Sequence, residues 1–197
     1  MNKTIFKRII KFGGQNDFKI LTGKEIDFSD IKDAVELDKK VYSKEFRGDF
    51  FTCIEWHNKN PFIYFMAKDM KIGHVIAYIN IMPVTLDCYE KIKHMEILDI
   101  NISSDMLLSY LDSNHHFLYF SSIVIHPKYR NTDVFICLFK SVLDYFIGLN
   151  DQGIVIEKIF ANAVTYKGRK LCNLFGLNEI KINSQLSIYE LNFPFYK

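Results

Sequence analysis

The chain has 197 residues, 49% of them apolar and 15% aromatic, which is enough to bury one substantial core and short for two full domains. Its 25 basic and 23 acidic residues are interleaved and leave a formal charge of +2, so no field of one sign argues for nucleic acid or an acidic polymer as a partner. The four cysteines, Cys53, Cys88, Cys137 and Cys172, are isolated and sit in apolar contexts, without the spacing of a metal site or a redox motif; a reduced, cytoplasmic protein without a resident metal is expected.

Residues 1 to 17 read as an N-terminal extension. Met1 to Phe12 alternates Lys and Arg with Ile and Phe, which lacks the unbroken apolar core of a signal peptide, and no stretch approaches the roughly 20 apolar residues of a membrane span. The segment reads as a short strand or helix packing on the domain; a basic amphipathic membrane-surface element is the other reading. Gly13-Gly14-Gln15 matches a tripeptide of peptide-chain release factors and is taken as a chance occurrence in a turn. The sequons at Asn2 and Asn101 carry no meaning in a cytoplasmic protein.

Phe18 to Thr22 predicts a short strand, and Asp30 to Val41 a helix capped by Ser29 or Asp30, with Ile31, Ala34, Val35, Leu37 and Val41 on its apolar face. A second helix is expected over Phe51 to Lys59, then an antiparallel pair at Phe62 to Ala67 and Gly73 to Pro83. Leu86 to Asn114 reads as an insertion between the third and fourth strands, with weak helical patterns at Tyr89 to Met95 and Asp105 to Leu111. Strong β sequence resumes at Phe117 to Ile125, and a long amphipathic helix spans Thr132 to Gly148, apolar at Val134, Phe135, Leu138, Phe139, Val142, Leu143 and Phe146. A strand at Ile154 to Ala163, a helix at Tyr166 to Leu174 closed by Gly176, and a strand pair at Glu179 to Ile182 and Leu186 to Phe193 complete the order. No repeat, Walker loop, paired-His metal motif or serine nucleophile elbow is present.

The segment Phe120-Ser-Ser-Ile-Val-Ile-His-Pro-Lys-Tyr-Arg130 holds the densest signal: an apolar strand that runs through a proline turn straight into a helix leaves free backbone N–H groups and a positive dipole end at the junction, a seat for phosphate. Together with Leu171-Cys-Asn-Leu-Phe-Gly176-Leu, and with the order of elements from Phe18 to Phe193, it resembles the GNAT superfamily of acyl-CoA-dependent N-acetyltransferases. There the fourth strand reads hydrophobic-x-Val-x-Pro-x-x-Arg, and the late helix ends Leu-Tyr-x-x-x-Gly-Phe.

The resemblance implies one α/β (α+β) domain: a mixed, mostly antiparallel sheet of six to seven strands, flanked by about four helices, with a splay between the fourth and fifth strands. It implies that Ser121 to Ile125 splays from Ile156 to Ala161, so that the backbone of Ile123, Val124 and Ile125 bonds the pantetheine arm of acetyl-CoA. The pyrophosphate would lie on Arg130, Asn131, Thr132, Asp133, Val134 and Phe135, with Thr165 on the facing helix. Cys172 takes the place of the family tyrosine near the thioester sulfur, with a buried packing cysteine as its other reading, and Ser121 is a polar group on the splayed strand. Phe46, Arg47, Tyr64, Tyr78, Asn80 and Tyr119, together with Tyr42, are the candidates for lining an amine-acceptor site.

Two departures matter. The loop reads Arg130-Asn-Thr-Asp133-Val-Phe135, with no glycine between Gly73 and Gly148, where the family has glycines that let the backbone approach a diphosphate. Asn131-Thr-Asp133 also reads as an ordinary helix cap that would satisfy the same donors. No carboxylate lies between Phe117 and Ile125, and His115-His116 and His126 read as exposed groups, so no general base is assigned. An acetyltransferase acting by direct attack in a ternary complex, a non-catalytic ligand- or protein-binding member, and a membrane- or complex-anchored protein are the readings left open. The insertion Leu86 to Asn114 reads either as a cover for the acceptor cleft or as the interface of a homodimer.

Overall fold

The computed structural model describes residues 17–183 and 186–192. Strand β1 is Phe18–Thr22, helix α1 Phe28–Asp38, α2 Phe50–Lys59, β2 Tyr64–Asp69, β3 His74–Val84, α3 Leu86–Lys93, β4 His115–Ile125, α4 Val134–Asp151, β5 Val155–Ala163, α5 Tyr166–Leu174, β6 Asn178–Ile182 and β7 Ser187–Asn192. The seven strands form one open sheet in the order β1-β2-β3-β4-β5-β7-β6, in which β4 and β5 are parallel and every other pair is antiparallel. A parallel pair needs a crossover, and α4 supplies it.

Each face of the sheet buries its own core. On one face α4 packs Leu138, Val142 and Phe146 against Phe65, Ile79 and Leu118. On the other, Ile31 and Leu37 of α1, Trp56 of α2 and Tyr89 of α3 cover Tyr64, Tyr78, Tyr119 and Phe160. β3 is buried from Val75 to Val84, which is why it reads as a nearly continuous apolar run.

Local chemistry moves several boundaries. The N-terminus of α1 is set by a reciprocal box in which Asp27 accepts the Asp30 N–H at 3.0 Å and Asp30 accepts the Asp27 N–H at 3.2 Å, so the helix starts before Ser29, not at it. It ends at Asp38, short of Val41. Helix α4 runs past Gly148, at which a Cβ would meet nothing within 4 Å, and closes at Gly153, whose φ is +79° and whose neighbour Ile154 donates to Leu149 O at 3.0 Å. Gly176 closes α5 in the same way, with φ +82° and the bonds Gly176 N–H to Asn173 O and Leu177 N–H to Cys172 O.

The insertion departs most from the sequence reading. Leu86–Lys93 is a fifth α-helix, capped by Thr85, whereas Asp105 to Leu111 forms none. There Leu107 bridges Val84, Thr85 donates to Met106 O and Leu108 donates to Pro83 O, both at 2.9 Å, so pairing with the end of β3 displaces helical bonds. The Trp56 indole donates to Ile102 O at 2.9 Å and ties the insertion to α2. His116 is fully buried in β4, its Nε2 within 2.8 Å of Ser113 O, and only His115 stays exposed, beside Glu157. Met1 to Phe12, Gly13-Gly14-Gln15 and Phe193 lie outside the described residues. Among the described residues no helix is long and apolar enough to cross a membrane.

Replacing Asp27 by Ala removes one half of the α1 box; urea unfolding is expected to show a loss of about 1 kcal/mol with an unchanged m value.

Candidate functional site

The site begins with a defect in the β3–β4 ladder. Asn80 faces Ser122 and Ile81 faces Phe120, so Ser121 is an extra residue, a bulge that bends β4. The last β4–β5 pair is Tyr119 with Phe160. Beyond it β4 stays with β3 as far as Ile125 and Ala77, while Ala161–Ala163 stays with β7, and a gap opens between the two parallel strands. The facing part of β5 is therefore Ala161 onward; Ile156 to Phe160, which the sequence reading also placed along the splay, is zipped to β4.

The backbone of β4 alternates across this gap. The His126 N–H donates to Ile76 O at 2.8 Å on the β3 side, which turns Ile125 and Ile123 toward the gap and Val124 away from it. Accordingly, Ile125 O accepts from Arg130 Nε at 3.3 Å, the Tyr42 hydroxyl lies against Ser122 and the Ile123 backbone, and the Val124 side chain is buried in the core. A cleft passes through the sheet here, walled by Tyr42, Phe46, Asp99, Phe120–Ile123 and Ala161–Thr165, and by Gly168, Leu171, Cys172 and Phe175 of α5 and its end. Thr165 caps α5 by accepting the Gly168 N–H at 3.0 Å. A Cβ on Gly168 would sit 3.1 Å from that Thr165 oxygen, so glycine lets α5 close on the strand end.

The loop between β4 and α4 is more open than its composition implies. Asp133 occupies the N-cap of α4 but its side chain makes no cap bond; Thr132 Oγ1 donates to Tyr129 O at 2.7 Å and stands 3.4 Å from the Val134 N–H. The expected cap across Asn131-Thr-Asp133 is thus formed only by Thr132, through one long bond accepted from the Val134 N–H. The Phe135 ring, in the place of a small residue, lies back along Phe139 and Phe175 at centroid distances of 6.0 and 6.2 Å, leaving the first turn's backbone clear. Asn131 and Arg130 are both exposed.

A second cleft adjoins the first, sharing Phe46, Asp99, Ser121 and Ser122 with it, and continuing between Asp38, Cys53, Trp56, Tyr64, Tyr78, Asn80 and Ile100. Thus Tyr64, Tyr78, Asn80 and Phe46 come together as expected for a common wall. Arg47 does not join them: its Nε donates to Tyr42 O at 2.7 Å and its Nη2 to Lys39 O at 3.3 Å, clamping the α1–α2 loop. Tyr119 lies behind the wall, fully buried against Phe160, its hydroxyl without a partner among the described residues.

Sequence reading passed over the two carboxylates that dominate the electrostatics. Asp38, 6% exposed, accepts a hydrogen bond from the Tyr78 hydroxyl, yet burial, reinforced by the nearby Asp99, pushes its carboxyl up to about 6. Asp99, on a turn of the insertion, is likewise pushed up to about 6 by burial, against the opposing pull of the Ile100 N–H. Burial also holds Cys172 as a thiol, its ionisation pushed up to about 12, and drives Tyr64 and Tyr78 far above the ordinary phenol range. Asp38 had one legible signal: an acid in the last turn of a helix opposes the helix dipole, and α1 carries no base there.

Because Asp38 ionises near 6 in the fold against 3.8 for an ordinary aspartate, folding favours its protonated form. Above pH 6 the carboxylate destabilises the fold by roughly 3 kcal/mol, a penalty that fades as pH falls toward 4. Asp38→Asn is expected to raise the unfolding free energy by about 1–3 kcal/mol at pH 7.5, with the gain shrinking toward pH 4.5 in urea titrations.

No family model and no curated protein matches the chain in sequence. Solved structures do match it in shape. The loading GNATL domain of CurA from Lyngbya majuscula superposes with a TM-score of 0.60 at 10% identity, over 90% of this chain and 98% of that domain. Arabidopsis thaliana Naa50 in complex with the bisubstrate analogue CoA-Ac-MVNAL gives 0.57 at 10% identity, over 90% and 100%. A GNAT-family acetyltransferase from Staphylococcus aureus gives 0.54 at 13% identity, over 89% and 98%. With the broken β4–β5 ladder and the adjoining clefts, these likenesses identify the architecture: this chain has the GNAT acetyltransferase fold.

Proposed function

We propose that the protein is an N-acetyltransferase that transfers the acetyl group of acetyl-CoA to an amine by direct attack in a ternary complex. The observation that carries this reading is the meeting of two clefts at Asp99, Ser121, Ser122 and Phe46. A donor in the gap between β4 and β5 and an acceptor in the aromatic cleft would present their reacting ends to each other at that junction, which turns a bimolecular encounter into a positioned one.

The residues present fit the donor. The backbone of Ile123 and Ile125, which has no strand partner on the β5 side, suits an extended amide-bearing arm, which must displace the Tyr42 hydroxyl from Ile123 and the Arg130 guanidinium from Ile125 O. The first turn of α4, where Asp133 makes no cap bond and the Val134 N–H has only a long bond to Thr132, suits a diphosphate, with Arg130 and Asn131 beside it. The thioester supplies the acyl group; the amine nitrogen forms a bond to its carbonyl carbon, the carbon–sulfur bond breaks, and the thiolate leaves and takes up the proton that the nitrogen sheds as the amide forms.

Proton handling falls to the chain. An ammonium ion must lose a proton before it attacks, and Asp99 borders both clefts with a carboxyl that ionises near 6, close to the working pH that suits a general base. Asp38, deeper and tied to Tyr78, holds negative charge beneath the acceptor. Cys172 is a poor acid for the departing thiolate: handing over a proton bound about 3 pH units more tightly than by an ordinary thiol costs about 4 kcal/mol. Its place in the wall is consistent with packing against the donor. Ser121, at the bulge, offers a hydroxyl at the junction.

Asp99→Asn is expected to lower kcat by about 10²- to 10⁴-fold in a thiol-release assay with an amine panel, while leaving acetyl-CoA affinity within about twofold. In the wild type the rate should rise with pH through an ionisation near 6 shared by the carboxylate pair, and that limb should vanish in the variant. Equal rates in both proteins would remove Asp99 from the reaction. Tyr42→Phe frees the Ile123 backbone of one hydrogen bond and is expected to tighten acetyl-CoA about three- to tenfold by calorimetry.

A further inference from the structure

The walls of the acceptor cleft carry no Lys, Arg or His. Their charges are the carboxylates of Asp38 and Asp99. Among the described residues Arg47 is the basic side chain whose charge bears on Asp38, and its guanidinium is already engaged by the backbone carbonyls of Tyr42 and Lys39. Two carboxylates thus share a small space in which Arg47 acts on Asp38 only from a distance and, among the described residues, no basic side chain bonds either of them.

An independent observation points the same way. Asn80 is 98% buried, its Nδ2 donates to Ile63 O at 3.3 Å, and its Oδ1 has no partner among the described residues. The Ile63 bond fixes which end of the amide is which, so the orphan is an acceptor oxygen and not a misassigned donor. Of the other donors nearby, the Trp56 indole N–H is committed to Ile102 O and the Tyr78 hydroxyl to Asp38, while the Ser121 and Ser122 hydroxyls, which can accept as well as donate, lie at the junction with the donor gap. The cleft thus offers mainly oxygen acceptors, two of them carboxylates, among the aromatic rings of Phe46, Trp56, Tyr64 and Tyr78.

A primary ammonium group is the complement of this set, since it brings a positive charge and three N–H donors and is attracted to aromatic faces. The space is small. The cleft has a cavity volume of about 30 Å³ and is bordered by Asp99 and Ile100 of the insertion, a space that suits an amino group with little bulk beside its nitrogen. We propose that the acceptor is a compact primary alkylamine bound as its ammonium ion by Asp38, Asp99 and Asn80 Oδ1, and that the cleft excludes amines bearing a carboxylate close to the nitrogen. This rests on the acetyltransferase reading for its consequence, though the binding itself does not require turnover.

The test is an NMR titration of the full-length protein with n-propylamine, β-alanine and an Ala-Ala amide dipeptide, following the side-chain amide of Asn80, with acetyl-CoA titrated separately by calorimetry. Saturable binding of n-propylamine that shifts the Asn80 amide, at least tenfold tighter than β-alanine, is the expected result. Asn80→Ser should weaken n-propylamine at least fivefold; if that variant does not fold, the three-probe comparison on the wild type decides alone. Equal binding of n-propylamine and β-alanine, no saturable binding of either, or tighter binding of the dipeptide amide would overturn the proposal. An amine result that fails while acetyl-CoA binds rejects only the acceptor class; failure of acetyl-CoA to bind rejects the acetyltransferase reading beneath it.

Discussion

The broken ladder between two parallel strands governs this molecule. An edge of unpaired N–H and C=O groups inside a sheet is costly unless something bonds it, and here the break is imposed by the extra residue Ser121 in β4 while β5 is held on its other side by β7. The two strands part just after Tyr119, the β4 residue of their last pair, within two residues of the bulge. The gap is lined instead by Tyr42 from the α1–α2 loop, by the Arg130 guanidinium on Ile125 O, and by the α5 turn that Gly168 allows to approach. Every candidate group of the site is positioned relative to that gap.

The same constraint explains the electrostatics. The gap connects a cleft on the α5 side with the aromatic cleft beneath α1 and α2, both of them partly enclosed, and the carboxylates at the junction lose much of their water. Their ionisation is pushed into the range where a side chain both accepts and releases protons readily. The fold bears a stability cost for keeping these two acids together. Such a cost is typical of places where a protein holds chemistry at the expense of packing.

Much of the scaffold was legible because it rests on local rules. The periodic apolar face of α4, the alternation at Phe117 to Ile125 and the glycine that ends α5 each encode their element within a few neighbours. What escaped notice rests on contacts between distant residues. Phe135 looked like an obstruction in a loop that wants glycine, and only its stacking with Phe139 and Phe175 turns it aside. His116 read as surface and is buried because β4 starts two residues earlier than its strongest β pattern. Asp38 and Asp99 come from the end of a helix and from an aperiodic insertion, and nothing local in the sequence says that they converge on Ser121 and Ser122. The insertion 86–114 had two readings, a cover for the acceptor cleft or a dimer interface, and its turn at Asp99 and Ile100 borders the second cleft.

The most direct test of the account is a calorimetric titration of acetyl-CoA into the wild-type protein and Gly168→Leu, which fills the wall where α5 meets the end of β5. Micromolar binding by the wild type and at least a tenfold loss in the variant, with both proteins folded, is the predicted result. Absence of saturable binding by the wild type, or equal affinity in the two proteins, would contradict the claim that the gap between β4 and β5 is a donor site and would favour a fold that serves to bind another ligand or a protein.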